Sequence, residues 1–364
     1  MTRRTFMAGI AAAGMLGLAR DVFSAETKRT TLAECLKMAP FQAAENSAMI
    51  NKGIGYLKYM VTRIEAKALR GIGERYLENP APTLIKRFAS GSDREKTAAE
   101  LLKAGYIRKD ITVDVLFPKA QTGKAPQPVL TTPGSGYQSH HSYPGGLVTH
   151  LAANISIANH IADTYPMVYG YDVNRDIVIL AQLLHDFHKP WVFQWTADYD
   201  TLTEISIAGT GAHHILSISE ALYCNFPPEL TVAMASAHAS PTSKEERESI
   251  LGWIKAAGII SGIDPYKAGV LTGADGMGLF DRQENYITHL GDHDWVLSVP
   301  AAQNTIAALK SIAADIYKIN PNSAKDFNSF RNYVFSQAGA MTLHNVWANN
   351  GIKALGEYVK TIVA

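Results

Sequence analysis

Nine of the 12 histidines lie in one stretch of the chain, between residues 140 and 238. Neutral imidazole is a common ligand of transition-metal ions, and histidines grouped with acidic residues are typical of a metal site. A metal ion in such a site can activate water for hydrolysis. The nine residues are His140, His141, His150, His160, His185, His188, His213, His214 and His238.

The pair His185-Asp186 is the centre of this pattern. It directly follows the apolar run Ile-Leu-Ala-Gln-Leu-Leu at 179–184, which predicts a buried helix. An ionisable pair beside such a run is unfavourable without a partner, and a cation would be that partner. Neighbouring helical residues diverge by about 100° and can therefore reach one metal ion or two adjacent ones. The alternative is a solvated helix end, with His185 near the negative end of the helix dipole.

Two further residues extend the candidate site. His150 lies at the edge of the apolar stripe that contains Leu147 and Leu151, so a half-buried core histidine is its alternative interpretation. Asp264 follows the last apolar residues of a later helix, where a simple helix-end role is the alternative. Taken together with His185-Asp186, these residues indicate a metal site.

The order His, His-Asp, Asp resembles the HD-domain metal-dependent phosphohydrolase superfamily. The segment 140–150, HHSYPGGLVTH, looks like the entry segment of a subgroup that includes 3′–5′ exoribonucleases, and 183–190, LLHDFHKP, looks like the central motif. The resemblance covers about residues 137–268. It implies an HD-type helical bundle that binds one or two divalent transition-metal ions, for which Mn, Fe, Ni, Co and Zn are the candidates.

The resemblance also implies roles for individual residues. The first metal would be held by His150, His185, Asp186 and Asp264, and a second by Asp186, His214 and His238. His214 is preferred to His213 because the apolar Ile215 follows it. Asp186 and Lys189 would be catalytic, with Lys189 contacting a substrate anion. Substrate contacts are expected from His140, His141, Tyr143, His188 and His213.

Two features lie outside the family pattern. His188 stands where the family usually has glycine, so a bulky titratable group is expected beside the metal. The cluster at 289–294, His-Leu-Gly-Asp-His-Asp, lies beyond the matched region and is interpreted as a polar loop rather than as a second metal site.

The resemblance to the HD superfamily implies three possible functions. The preferred one is a metal-dependent hydrolase of a phosphoester that uses metal-activated water. The first alternative is a mixed-valent di-iron oxygenase on the same HD scaffold, and the second is a non-catalytic metal- or ligand-binding protein. The substrate is expected to be a small anionic molecule.

Periodicity predicts a mainly α-helical protein. The predicted regions are a mostly helical 25–130, the HD-type core 131–270 and a C-terminal helical extension 271–364 packed on the core. Within the core, a helix starts at Pro227-Pro228, and Ser243 with Glu246 forms a capping box at the next. Residues 111–117 alternate weakly and predict a strand.

Residues 1–24 are interpreted as a signal peptide, with cleavage near Ser24 or Ala25. Arg3 and Arg4 precede a mildly apolar stretch, and residues 2–7 resemble a twin-arginine export signal. A periplasmic or otherwise exported protein and a precursor that contacts the twin-arginine machinery are therefore expected.

Charge and cysteine content narrow the class of protein. The 34 Lys and Arg residues nearly balance the 33 Asp and Glu residues, so no nucleic-acid-binding surface built on bulk charge is expected. No membrane span is expected in the mature protein. The two cysteines, Cys35 and Cys224, exclude a disulfide framework, although the sequence leaves open whether they pair.

Overall fold

The computed structural model describes residues 27–88, 90–320 and 322–364. The predicted signal peptide therefore lies outside the described residues. Among the described helices, none is both long and apolar enough to cross a membrane.

The described chain is mainly α-helical, which confirms the predicted fold class. The α-helices are α1 Leu32–Lys37, α2 Pro40–Glu45, α3 Ala48–Thr62, α4 Lys67–Glu78, α5 Gly91–Lys103, α6 Val113–Leu116, α7 Gly146–Thr164, α8 Arg175–Leu184, α9 Lys189–Val192, α10 Ala212–Tyr223, α11 Pro228–Ala235, α12 Lys244–Ser261, α13 Gln283–Asp292, α14 Trp295–Asp315, α15 Ala324–Ala338 and α16 Ala340–Lys360. Short 3-10 segments cover Leu84–Phe88 and Val129–Thr131, and a π-helical turn covers Tyr165–Tyr169. The strands β1 Ser206–Ile207 and β2 Thr210–Gly211 pair antiparallel.

Local sequence signals set several of these boundaries. Pro228 is the first residue of α11, as predicted, and the Ser243 side chain accepts a hydrogen bond from the Glu246 backbone and caps α12. Only this half of the predicted capping box forms, because the Glu246 carboxylate accepts its hydrogen bond from the Thr242 hydroxyl. The predicted strand at 111–117 is wrong. Residues Val113–Leu116 form α6 instead, closed by a 2.9 Å bond from the Leu116 N–H to the Thr112 carbonyl.

Two large hydrophobic clusters form the core. The first joins α7 and α8 to the N-terminal and C-terminal helices, with Leu57, Leu151 and Phe335 among its members. The second is built around α10 and α12 and contains Ile215 and Trp253. Helix α8 is buried along every residue from Ile177 to Leu184, as its apolar sequence predicts.

Helix α13 packs closely against α7 and α8. A Cβ atom on Gly291 would come within 2.2 Å of Gln182 Nε2 and 2.8 Å of Ala158 Cβ. The Gln182 amide also donates a 2.7 Å hydrogen bond to the Thr288 carbonyl. The end of α13 is thereby brought to the end of α8.

The two cysteines are free thiols that do not pair with each other. Cys35 is buried on α1, and burial raises the pKa of its thiol to about 12. Cys224 follows α10 and is half-buried.

Candidate metal centre

His185 and Asp186 lie at the end of α8 and are fully buried. The Nδ1 atom of His185 lies 2.9 Å from the Gln182 carbonyl, which can only accept a hydrogen bond, so Nδ1 carries the proton. In the neutral ring, the other nitrogen, Nε2, would then carry the lone pair that binds a metal. It lies 3.2 Å from Asp186 Oδ2 and 3.3 Å from Asp292 Oδ1.

His150 approaches the same two carboxylates from α7. Its Nε2 atom lies 3.0 Å from Asp186 Oδ2 and 3.2 Å from Asp292 Oδ1. One turn later on α7, the Asn154 amide donates a 2.7 Å hydrogen bond to Asp292 Oδ1 and holds that carboxylate in place. His150, His185 and Asp292 form a buried group whose ligand atoms all lie within 4.8 Å of one another.

The structure therefore brings Asp292, and not the predicted Asp264, next to His150 and His185, which corrects the expected position of Asp264. Asp264 is exposed on the turn after α12, and its Oδ1 atom accepts a 2.9 Å hydrogen bond from the Tyr266 backbone. Helix α12 ends at Ser261, before a left-handed Gly262, so Asp264 begins a surface turn. Neither metal-competent group found among the described residues contains Asp264.

The cluster at 289–294 is therefore more than a polar loop. Its first residues complete α13, and Asp292 is the last residue of that helix. The close spacing of histidines and acids in this segment was the signal that could have identified Asp292. Sequence reasoning gave it too little weight because the segment lies outside the stretch that resembles the HD family.

A second group forms on the other side of Asp186. His213 Nε2, on α10, lies 3.2 Å from Asp186 Oδ1. His238 Nε2 lies 3.7 Å from Asp292 Oδ2, and its Nδ1 is 3.2 Å from the Thr210 hydroxyl. His238 also forms a group with His185 and Asp186 whose ligand atoms lie within 4.8 Å of one another.

Of the two candidates His213 and His214, the structure places His213 beside Asp186, although neither belongs to a metal-competent group found among the described residues. The preference for His214 as a metal ligand stays a prediction. His214 Nε2 donates a 3.1 Å hydrogen bond to the Ala235 carbonyl, and its ring stacks on His238 at 4.0 Å. It is therefore turned toward the end of α11. The neighbouring His213 faces Asp186 because consecutive positions on a helix point in directions about 100° apart.

Glu204 was not singled out from the sequence. Its Oε1 atom lies 2.5 Å from His213 Nδ1 and accepts a 2.8 Å hydrogen bond from the His213 backbone. This arrangement fixes the His213 ring and leaves Nε2 directed at Asp186. A lone glutamate in a loop carries no sequence signal for such a role.

Lys189 lies beside Asp186, with 2.6 Å between its ammonium nitrogen and Asp186 Oδ2. It is the first residue of α9 and is buried. The short turn between α8 and α9 brings the two side chains together.

The entry segment lies beside the candidate site. The His140 and His141 rings lie 5.1 and 5.7 Å from the His150 ring. The Tyr143 side chain is fully buried, with its hydroxyl 3.3 Å from His141 Nδ1. Tyr143 therefore supports His141 rather than lining the opening, which corrects its predicted substrate contact.

His188 does not face the metal-competent groups, contrary to expectation. It is fully buried, packs on Phe187 and Trp191, and points its Nε2 at Glu220, 3.6 Å away. Burial lowers the pKa of His188 to about 4. The Glu220 carboxylate in turn accepts backbone hydrogen bonds at the start of the Leu84–Phe88 segment, so His188 belongs to the packing of the second hydrophobic cluster.

The electrostatics of the cluster suit a cation. Burial alone would raise the pKa of Asp186, but His185 and Lys189 outweigh it and hold that pKa well below its usual range. Burial likewise opposes protonation of His185, yet Asp186 and Asp292 raise its pKa to about 10. The site therefore has two charged carboxylates close to imidazole nitrogens.

The buried ligand atoms of this cluster contact one another and Lys189. Even so, His185 Nε2, His213 Nε2 and both oxygens of Asp186 make no well-aligned hydrogen bond among the described residues. Buried polar atoms are rarely left in this state in proteins. Imidazole nitrogens and carboxylate oxygens that converge in this way are a donor set for a divalent transition-metal ion. The residues present therefore fit the metal that the sequence predicts.

Comparison with known proteins gives one informative similarity. No protein-family model and no solved structure matches the chain. The chain is 30% identical over 166 residues to a dihydroneopterin 2′,3′-cyclic phosphate phosphodiesterase from Methanocaldococcus jannaschii. The similarity covers 42% of this chain and 62% of the relative, so the chain spans less than two thirds of the length of that enzyme.

Proposed function

We propose that this protein is a metal-dependent hydrolase of phosphoesters. The observation that carries the proposal is the position of the buried Asp186, which directs Oδ2 at His150 and His185 and Oδ1 at His213. Similarity to a phosphodiesterase supports the same class of reaction.

The residues suggest two adjacent metal positions. His150, His185 and Asp292 would hold the first ion, and His213 and His238 would contribute to the second. Asp186 would lie between the two positions. A divalent ion bound there lowers the pKa of a coordinated water from 15.7 toward about 7 and so supplies the nucleophile.

The remaining polar residues would bind and orient the substrate. Lys189 carries a positive charge within 2.6 Å of Asp186 and would offset negative charge on a phosphate oxygen. His140 is half-buried next to His150, where it would contact the substrate. Because the relative acts on a cyclic phosphate, we propose a small phosphodiester as the substrate.

The test is hydrolysis by protein reconstituted separately with Mn, Fe, Ni, Co or Zn. Bis(4-nitrophenyl) phosphate and nucleoside 2′,3′-cyclic phosphates would be the substrates. Asp186→Asn is expected to abolish turnover, and Lys189→Gln to lower it roughly 100-fold or more through the loss of one charge-stabilising contact.

Two results would contradict the proposal. Near two irons per chain, oxygen uptake and no phosphoester hydrolysis would favour the oxygenase on the same scaffold. A metal-loaded protein with neither activity would favour the alternative of a non-catalytic binding protein.

For location, we propose export through the twin-arginine pathway on the basis of residues 1–24 alone. Replacing both Arg3 and Arg4 by lysine should retain the precursor in the cytoplasm. Unchanged export of that variant would contradict the proposal.

A further inference from the structure

Arg331 on α15 is a fully buried arginine without an anionic partner. Its Nη2 atom donates a 2.8 Å hydrogen bond to Asn332 Oδ1, whereas Nε and Nη1 have no partner among the described residues. Among the described residues, no carboxylate oxygen lies within 4.0 Å of the Arg331 guanidinium nitrogens. Burial lowers the pKa of Arg331, and Tyr137 and, at longer range, Asp200 partly offset that effect. A buried cation with unpaired donors is unfavourable unless something else satisfies them.

Tyr137 covers this guanidinium. The central carbon of the Arg331 guanidinium lies 4.6 Å from the centre of the Tyr137 ring, which is a cation–π contact. Such a contact stabilises the positive charge through the ring face, whereas Nε and Nη1 lack a well-aligned hydrogen-bond acceptor among the described residues. Tyr137 is half-buried and belongs to the segment that continues into His140 and His141.

Helix α15 lies directly against that segment. One turn after Arg331, Phe335 packs on Tyr143 with 5.6 Å between ring centres. The next residue, Ser336, donates a 2.8 Å hydrogen bond to the Pro144 carbonyl. Residues four apart lie on the same helix face, so Arg331 points to the side of α15 that supports the entry segment.

Residues 198–200 pack against α15 next to Arg331. The Asn332 amide donates a 2.9 Å hydrogen bond to the Tyr199 carbonyl, and Asn328 does the same to the Asp198 carbonyl. Gln138 and Tyr199, on either side, have positive φ angles of 63° and 58°. Non-glycine residues in this conformation are uncommon and cluster at ligand-binding sites.

We propose that Arg331 is a phosphate-binding residue, covered by Tyr137 and separate from the His/Asp cluster. A planar guanidinium with two free donors matches the geometry of two phosphate oxygens. When Tyr137 moves aside, the cation–π contact of Arg331 would be replaced by ionic hydrogen bonds to the phosphate. The proposal does not depend on the hydrolytic activity, since no metal ligand takes part in it.

The experiment is calorimetric titration of metal-free protein with inorganic phosphate. Wild-type protein is compared with Tyr137→Ala, Arg331→Gln and Lys353→Gln. Lys353 is the control, because it is an exposed cation on the next helix, α16. We expect Tyr137→Ala to bind phosphate more tightly than wild type and Lys353→Gln to match wild type. Arg331→Gln should lose affinity roughly 10–100-fold, as expected for hydrogen bonds to a charged group. Equal binding by Arg331→Gln and wild type, or no binding by either wild type or Tyr137→Ala, would overturn the proposal.

A second measurement avoids substitution of the buried arginine. Phenylglyoxal labelling followed by mass spectrometry should modify Arg331 slowly in wild type and faster in Tyr137→Ala, and phosphate should protect it. Labelling that phosphate does not change in either protein would contradict the proposal. A phosphodiester that the enzyme hydrolyses is then tested as a competitor. If it displaces the phosphate, Arg331 binds a second anionic group of the substrate. If it does not, Arg331 binds free phosphate.

Discussion

At the scale of single residues, the candidate centre depends on how each histidine is oriented. His185 and His213 each have one ring nitrogen next to a protein oxygen and the other directed at Asp186. Hydrogen bonds of this kind fix the tautomer and make the free nitrogen a better ligand. The residues that accept these bonds should therefore affect metal affinity although they do not touch the metal.

Glu204 provides the clearest test of this effect. Glu204→Gln keeps the size of the side chain but removes the charge that faces His213 Nδ1, so we predict that metal affinity falls roughly 10–100-fold. Competition with a chromogenic chelator measures the change. Glu95→Gln, a substitution of an exposed glutamate on α5, is the control and should have no effect. Equal affinities for the two variants would refute the role given to Glu204.

Metal affinity should also depend on pH. Asp186 and Asp292 outweigh the effect of burial and raise the pKa of His185 to about 10, so His185 is protonated at neutral pH when no metal is bound. Metal binding requires the neutral ring and must therefore release this proton. Affinity should fall about tenfold for each unit by which pH is lowered between 8 and 6, for each proton displaced. Calorimetry in buffers of different ionisation enthalpy counts the protons, and a count of zero would contradict the assignment.

At the scale of elements, the sequence was a good guide to where helices begin and end and a poor guide to which ends meet. The apolar run of α8, the prolines before α11 and the Ser243 cap are local signals, and the structure has each helix as expected. The choice between Asp264 and Asp292 depends on tertiary packing. Local periodicity contains no information about which of two helix ends returns to α8.

The orientation of His213 and His214 could not be read from the sequence for a related reason. Both residues lie in the first turn of α10, and both are buried. Which one faces Asp186 depends on the rotation of α10 about its axis. That rotation is determined by the packing of the second hydrophobic cluster rather than by the residue that follows the histidine.

Gly291 should be essential for the position of α13. A methyl group there would overlap Gln182 and Ala158, so Gly291→Ala should push α13 away from α7 and α8 and displace Asp292. We predict a loss of about 1–3 kcal/mol in the free energy of unfolding, together with weaker metal binding. Urea denaturation and chelator competition measure the two effects.

A second glycine gives the control for this substitution. Gly252 lies within α12, and a methyl group there would meet nothing within 4 Å. Gly252→Ala should stabilise the protein by roughly 0.5–1 kcal/mol through the helix preference of alanine. Destabilisation by both substitutions would show that crowding at Gly291 is not the cause.

At the scale of the whole molecule, the candidate centre lies where the two hydrophobic clusters meet. Helices α7 and α8, which carry His150 and His185, belong to the first cluster, and α10, which carries His213, belongs to the second. A bound metal would therefore link parts of both clusters. Its effect on stability should extend to the molecule as a whole.

Metal should accordingly raise the stability of the entire fold. At a free metal concentration 100 times the dissociation constant, we predict a gain of about 2.7 kcal/mol in the free energy of unfolding. Tryptophan fluorescence and circular dichroism should report the same shifted transition in urea. Asp186→Ala should show no dependence on metal. A gain seen by one probe only would mean that the metal stabilises one part of the molecule.

The most direct test of the central claim is the metal content of purified wild-type, Asp292→Asn and Asp264→Asn proteins by elemental analysis, expressed per chain. The structure brings Asp292 to His150 and His185 and leaves Asp264 on the surface. We predict that Asp292→Asn loses most of its metal, whereas Asp264→Asn keeps the wild-type amount. Full metal content in Asp292→Asn, or its loss in Asp264→Asn, would contradict the centre described above.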